Sequence, residues 1–195
     1  MNQVDTGCST IFKFDNAISE SFCDKIVDHI TSVKNINAPI NYNVPPWQND
    51  DSLDWRIIKD NNIRSIIMIY REIVAGIVSK CYGEIVYPHF TDLVVWRSGR
   101  SMERHTDNGY SDSDVYMRQR AYTTITYLND NYTGGETFIA SENGDYISAP
   151  KKGSLVVLKS TPDNAHGVNT VTSGIRFTLP IWFTRNFESK EVETL

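Results

Sequence analysis

The sequence predicts an α+β domain whose later half is a β-sandwich or barrel. Three observations carry that expectation. Helix-period apolar stretches are confined to the segment before Gly83, and strand-like runs follow one another after it. A length of 195 residues with 40% hydrophobic content is enough for one sizeable core and short for two. A single domain is therefore expected over 1–195, helical over about 1–83 and β-rich over about 84–187.

The first helix is expected in ESFCDKIVDHITSV, 20–33. Phe22, Ile26 and Ile30 recur there one turn apart behind Ser19, whose hydroxyl suits an N-cap. The second, 61–83, carries Ile63, Ile66, Ile67, Tyr70, Ile73, Val74 and Ile77 on one side and stops at Gly83, which tolerates a left-handed turn. Arg64, Arg71 and Glu72 interrupt it, so it reads as a helix packed on a core and not as a membrane span. Between the two helices NAPINYNVPPWQNDDSLDW is rich in Pro, Asn and Asp and reads as a long loop, of a length that is often functional.

After Gly83 come TDLVVWR, AYTTITYL, ETFIA, SLVVLKS and IRFTLPIWF, runs rich in β-branched and aromatic residues. Asn129-Asp130, Gly134-Gly135, Asn143-Gly144 and Pro162-Asp163-Asn164 punctuate them as turns. The most polar connection, 98–120, is long enough to form a lid.

Composition narrows the function. A net charge of -5 offers no broad attraction for phosphate backbones, so nucleic acid is not an expected partner. Cys8, Cys23 and Cys81 are an odd number without C-x-x-C spacing, which indicates neither a disulfide framework nor a zinc finger and fits a reducing cytoplasm. The N-terminus lacks a basic region followed by an apolar core, and no run is long enough to cross a bilayer, so no membrane partner is expected.

The chemistry concentrates in RHTDNGY, 104–110. In extended chain, positions two apart point to one side, so His105 and Asp107 can hold one ion; alone, such a pair is more often an ordinary surface hydrogen bond. Further along, DNAHGVNTVTSGIRFTLPIWF supplies His166 and then Arg176. Two histidines and a carboxylate compose a facial triad, which leaves positions open on a ferrous ion. Arg176 offers a planar fork suited to a carboxylate and, on a strand, shares a face with Thr178 and Trp182.

The order His105-x-Asp107, His166, Arg176, together with RAYTTITYLND, GGETF and HGVNTVTSGIRFTLPIWF, resembles the Fe(II)/2-oxoglutarate-dependent dioxygenases of the prolyl 4-hydroxylase type over roughly residues 90 to 185. The resemblance implies a double-stranded β-helix, a jelly roll of two sheets, with the N-terminal helices as its support. It implies Fe(II) on His105, Asp107 and His166, 2-oxoglutarate as cosubstrate with its distal carboxylate on Arg176 and Tyr127, and ascorbate as a reductant. It further implies release of succinate and CO2 as a prolyl residue is hydroxylated. Two positions depart from the pattern. Trp96 stands where many relatives have tyrosine, and its N–H can only donate. Arg176 stands where collagen-type and algal prolyl hydroxylases carry lysine.

A peptide or protein is the expected substrate, with Tyr42, Trp47, Tyr110, Tyr116 and Arg118 on the two long loops as its contacts. A free amino acid or other small metabolite is the alternative, and a catalytically silent jelly-roll binding module is the alternative of another class. His29 and His89 have no partners in the pattern and read as structural, and Gly134-Gly135 reads as a turn and not as a phosphate cradle, because no helix pattern follows.

Overall fold

The computed structural model describes residues 1–46, 51–109 and 115–192. Helix α1 (Glu20–Val33) starts where Ser19 accepts a hydrogen bond from the Phe22 N–H. It buries Cys23, Ile26 and Ile30, whereas Phe22 is exposed: the buried stripe runs one residue to the side of the expected one. Helix α2 (Asn61–Tyr82) is capped by Asp60, which accepts from Asn62 and Ile63 N–H, and ends on Gly83 at φ 70. Ile73 faces solvent and Arg71 is buried, an inversion of what hydropathy suggests. The cause lies in a distant partner. Arg71 Nη2 meets Glu191 Oε2 at 2.6 Å and its guanidinium lies 4.1 Å over the Trp55 ring.

Seven strands form the major sheet in the order β1 (Asn2–Val4), β2 (Phe12–Asp15), β10 (Leu155–Lys159), β6 (Tyr122–Tyr127), β13 (Ile175–Thr184), β4 (Tyr87–Arg97) and β3 (Ser52–Asp54). A four-stranded sheet runs β5 (Met102–His105), β11 (His166–Val168), β8 (Thr137–Ile139) and β9 (Tyr146–Ser148), and β7 (Thr133–Gly134) pairs with β12 (Val171–Ser173). Every pairing is antiparallel. This is the jelly-roll arrangement of two sheets with the helices packed on the outer face of the larger. The main core, which includes Ile26, Ile67, Val74, Leu93, Leu179 and Ile181, lies between the helices and that sheet.

The expected division into a helical and a β-rich part is redrawn by β1, β2 and β3, which come from before Gly83 and extend the major sheet at both edges. The long Pro-rich loop is likewise strand where Leu53 turns inward at β3. It is tied to the end of β4 by Asp51, which pairs with Arg97 at 2.8 Å and Arg100 at 3.3 Å.

Glu191 closes the fold. Besides Arg71 it accepts from the Thr91 hydroxyl at 3.0 Å, while its own N–H donates to Pro88 O at 2.8 Å. Removing one partner of a buried pair strands the other charge, so Glu191→Ala is expected to destabilise the protein by about 3–5 kcal/mol, checked by urea unfolding.

Candidate active site

His105 ends β5 and His166 opens β11, and the two are direct register partners. Residues opposite each other in an antiparallel pair present their side chains to one face, so the register alone brings the imidazoles together, with ring centroids 4.6 Å apart. β11 approaches closely because Gly167 follows His166: a Cβ there would come within 2.3 Å of the Phe138 ring and 2.5 Å of Met102 O. Asp107 stands in the turn after β5, its Oδ1 3.5 Å from His105 Nε2 and its Oδ2 3.3 Å from His166 Nε2. Ligand atoms of the three residues all lie within 4.8 Å of one another, a spacing that a metal ion can fill.

The surroundings orient all three. His105 Nδ1 lies 2.9 Å from Glu103 O and His166 Nδ1 3.3 Å from Asn164 O. A carbonyl accepts only, so each Nδ1 is the donor to it, which turns each Nε2 toward the shared centre. Thr123 on β6 donates to Asp107 Oδ2 at 2.7 Å and sits 2.8 Å from the Ser160 hydroxyl. Burial alone would raise the Asp107 carboxyl, but the charges and hydrogen bonds of His166 and His105 outweigh it and hold it well below the usual carboxylate range. Burial disfavours His105 charging, yet the Asp107 hydrogen bond and charge prevail and raise its pKa above the ordinary 6.5. A proton on Nε2 excludes a metal from it. Mn(II) affinity is therefore expected to fall as pH drops through that raised value, by up to about tenfold per pH unit, read by calorimetry at several pH values.

A cavity of about 440 Å³ runs from this cluster between the sheets to Arg176. The side chain of Arg176 is almost fully buried and pairs with no carboxylate among the described residues. It donates from Nη2 to Thr137 Oγ1 at 3.1 Å and lies over the rings of Trp96 and Tyr127 at 5.1 and 5.3 Å, and its Nε has no partner. A buried cation with an unused donor calls for an anion. Gly135 gives it room, since a Cβ there would stand 3.2 Å from Arg176 Cδ; that close approach, with φ +67, is what the second glycine of the Gly134-Gly135 turn provides. The residues present thus fit a divalent metal at one end and a dicarboxylate reaching to the other.

The remaining expected residues are distributed along this channel. Trp96 donates from its indole N–H to Thr178 Oγ1 at 3.3 Å, so that N–H is spent within the wall. Tyr127 donates to Thr137 Oγ1 at 2.8 Å, which makes Thr137 the meeting point of Tyr127 and Arg176. Tyr132 lies against Arg176, its buried hydroxyl turned to the guanidinium. Trp182 shares the inner face with Arg176 but stands at the opposite end of β13, paired with Thr123 beside the metal cluster.

Of the loop residues, Tyr116 is engaged with β4: it donates to His89 O at 3.0 Å and its ring lies 4.2 Å from the His89 ring. Arg118 borders a separate polar cleft of about 290 Å³ with Asn108 and Arg185. Trp47 and Tyr110 lie outside the described residues. Arg120, which sequence reasoning passed over, is the arginine of this loop that lines the cavity. A 3-10 turn over Met117–Gln119 brings residues three apart to the same side, so Met117 and Arg120 both line the pocket. Its guanidinium is 4.4 Å over the Trp182 ring and 5.7 Å over Phe90, and its Nε has no partner. Thr123 and Thr137 were also missed, because hydroxyls inside strand-like runs look like ordinary β-formers.

An antiparallel jelly roll with two histidines and one aspartate at its mouth and a buried cation in its depth defines a non-haem iron oxygenase scaffold. Residues 89–184 match the model of the 2OG-Fe(II) oxygenase superfamily. Curated relatives include prolyl 3-hydroxylase 3 of Homo sapiens, 35% identical over 100 residues, and prolyl 3-hydroxylase 1 of Gallus gallus, 32% identical over 108 residues. The matches cover 46% and 50% of this chain but 14% and 15% of those much longer proteins. Among solved structures, the viral collagen prolyl hydroxylase of Paramecium Bursaria Chlorella virus-1 superposes with TM-score 0.66 at 16% identity, over 89% of this chain and 95% of that one. A Trichoplax adhaerens prolyl hydroxylase in complex with a hypoxia inducible factor peptide fragment gives 0.68 at 16% identity, over 91% and 84%. These likenesses bear out the jelly-roll fold.

Proposed function

We propose that this domain is an Fe(II)- and 2-oxoglutarate-dependent hydroxylase of prolyl residues in a peptide or protein. The observation that carries the reading is a single cavity with an open triad at one end and the unpaired Arg176 at the other. His105, Asp107 and His166 would hold the metal through Nε2, a carboxylate oxygen and Nε2. Arg176, supported by Thr137, would take the distal carboxylate of 2-oxoglutarate. When bound, the metal and cosubstrate supply the oxidising chemistry, coupling 2-oxoglutarate decarboxylation to succinate and CO2 with transfer of one atom of dioxygen into a substrate C–H bond.

The chain's own work is to bind, orient and exclude water. Ile125, Val168 and Met102 line the channel with apolar groups near the triad. Trp182 and Phe90, ring centroids 5.6 Å apart, offer an aromatic wall against which a pyrrolidine ring packs. Arg120 above that wall is placed to donate to a substrate carbonyl. The Trichoplax adhaerens structure, which carries a bound peptide fragment, and the prolyl 3-hydroxylase relatives support a polypeptide substrate. The expectation of a reducing compartment, the cytoplasm, rests on an odd number of cysteines without C-x-x-C spacing.

Incubation with Fe(II), 2-oxoglutarate, ascorbate and a set of proline-containing peptides tests the reading by mass spectrometry. A peptide that gains one oxygen atom in step with succinate supports it, and fragmentation then locates C3 or C4. Hydroxylation of free proline as fast as any peptide would transfer the assignment to a small metabolite. Loss of all 2-oxoglutarate consumption in the metal-loaded protein would overturn it.

A further inference from the structure

The cavity holds a second polar corner that neither the metal nor the cosubstrate uses. Asp92 on β4 and Asp54 on β3 are direct register partners, and both line the cavity with Ser52. Like charges opposite each other across two strands work against the sheet. The two carboxylates are not equivalent. Asp54 is gripped by Arg56, with contacts of 2.6, 3.0 and 3.1 Å, so its charge is answered. Asp92 is 6% exposed, no cation pairs with it among the described residues, and its Oδ1 has no partner. On its other side the β13–β4 ladder has Thr178 paired with Val94 and Ile181 with Thr91, which leaves Pro180 opposite Asp92. Burial, with the Asp54 charge adding to it, pushes the Asp92 carboxyl up to about 7 although hydrogen bonds from Ser52, Leu93 and Leu53 pull the other way; no counter-ion offsets the burial.

A carboxyl that is buried, lines a substrate cavity and has no counter-ion is costly to fold around, and such groups mark binding positions. A hydroxyl or amide ligand would give the carboxyl a partner but leave its charge without a counter-ion. A protonated nitrogen supplies one. We propose that Asp92 is a specificity residue that receives a protonated nitrogen of the substrate, so that the preferred target places a cationic group beside the ring held at Trp182 and Phe90. That nitrogen has two chemical sources, the side chain of a basic residue next to the target proline and the free imino group of an N-terminal proline. The assignment rests on the prolyl reading for its choice of probes.

The test uses the full chain loaded with Mn(II) and 2-oxoglutarate, in which peptide binding is measured by calorimetry without turnover. One pair of probes is an acetylated peptide with lysine or norleucine before proline. The other is a peptide that begins with proline, its nitrogen free or acetylated. Wild-type protein is expected to bind the cationic member of at least one pair about tenfold or more tighter, and which pair does so identifies the source. In Asp92→Asn, which keeps the shape and removes the charge, that preference is expected to shrink to about twofold or less. Mn(II) and 2-oxoglutarate affinities should stay unchanged. Asp92→Ser serves as a second variant if the amide disturbs the sheet. An equal preference in wild type and both variants, or none in wild type, overturns the role of Asp92. Failure of the prolyl reading has a different signature, in which no proline peptide, charged or neutral, binds or supports succinate formation.

Discussion

His166→Ala and Asp107→Ala are each expected to abolish succinate formation and to weaken Mn(II) binding by at least about a hundredfold. Even outer partners of metal ligands are worth about 10–100-fold in affinity, and these two are the most buried members of the cluster. His105→Ala should follow the same course. The more telling variant is Thr123→Val, which leaves all three donors but deletes the 2.7 Å hydrogen bond to Asp107. It should cost about 10- to 100-fold in metal affinity. Titration with Mn(II) reads both. Retention of near-wild-type affinity by two of the alanine variants would remove the cluster from the metal.

The second large effect is expected at the other end of the channel. Arg176→Ala should raise the apparent Michaelis constant for 2-oxoglutarate by roughly thirtyfold or more, because loss of a buried charge-assisted pair costs on the order of 2 to 5 kcal/mol. Mn(II) affinity should be little changed, since β13 contributes no ligand to the cluster. Arg176→Lys keeps the charge and loses the fork, and an intermediate constant is expected of it. A folded alanine variant with unchanged 2-oxoglutarate dependence would contradict the anchor role. Titration of 2-oxoglutarate against succinate yield separates these outcomes.

Much of this was readable along the chain because the informative residues obey local rules. Ser19 and Gly83 bound their helices by capping chemistry, and the long apolar strands announced themselves by composition. His105-x-Asp107 and His166 were legible as a spacing. What the spacing hid was their meeting by register across β5 and β11, since neither three-to-four-residue strand has a hydrophobic period of its own. Arg71 looked like an exposed interruption in α2 because its partner Glu191 lies at the far end of the chain. The choice between Arg118 and Arg120 as the cavity cation depends on a short 3-10 turn, and side-chain direction there has no signature in residue type. Asp92 is the second residue of TDLVVWR, where a strand pattern says only that it shares a face with Phe90 and Val94.

The triad also spans the gap between the two sheets. His105 and His166 belong to the four-stranded sheet, while Asp107 is held by Thr123 of the seven-stranded one and Asn108 N–H donates to Ser160 O beside it. An ion at their centre therefore acts as a staple across the mouth of the sandwich as well as a reagent. By linkage, a metal that binds only the folded chain adds about 2.7 kcal/mol of stability at a hundredfold excess over its dissociation constant. The amides near Asn108 and Ser160 should accordingly exchange their hydrogens for deuterium more slowly once Mn(II) is added.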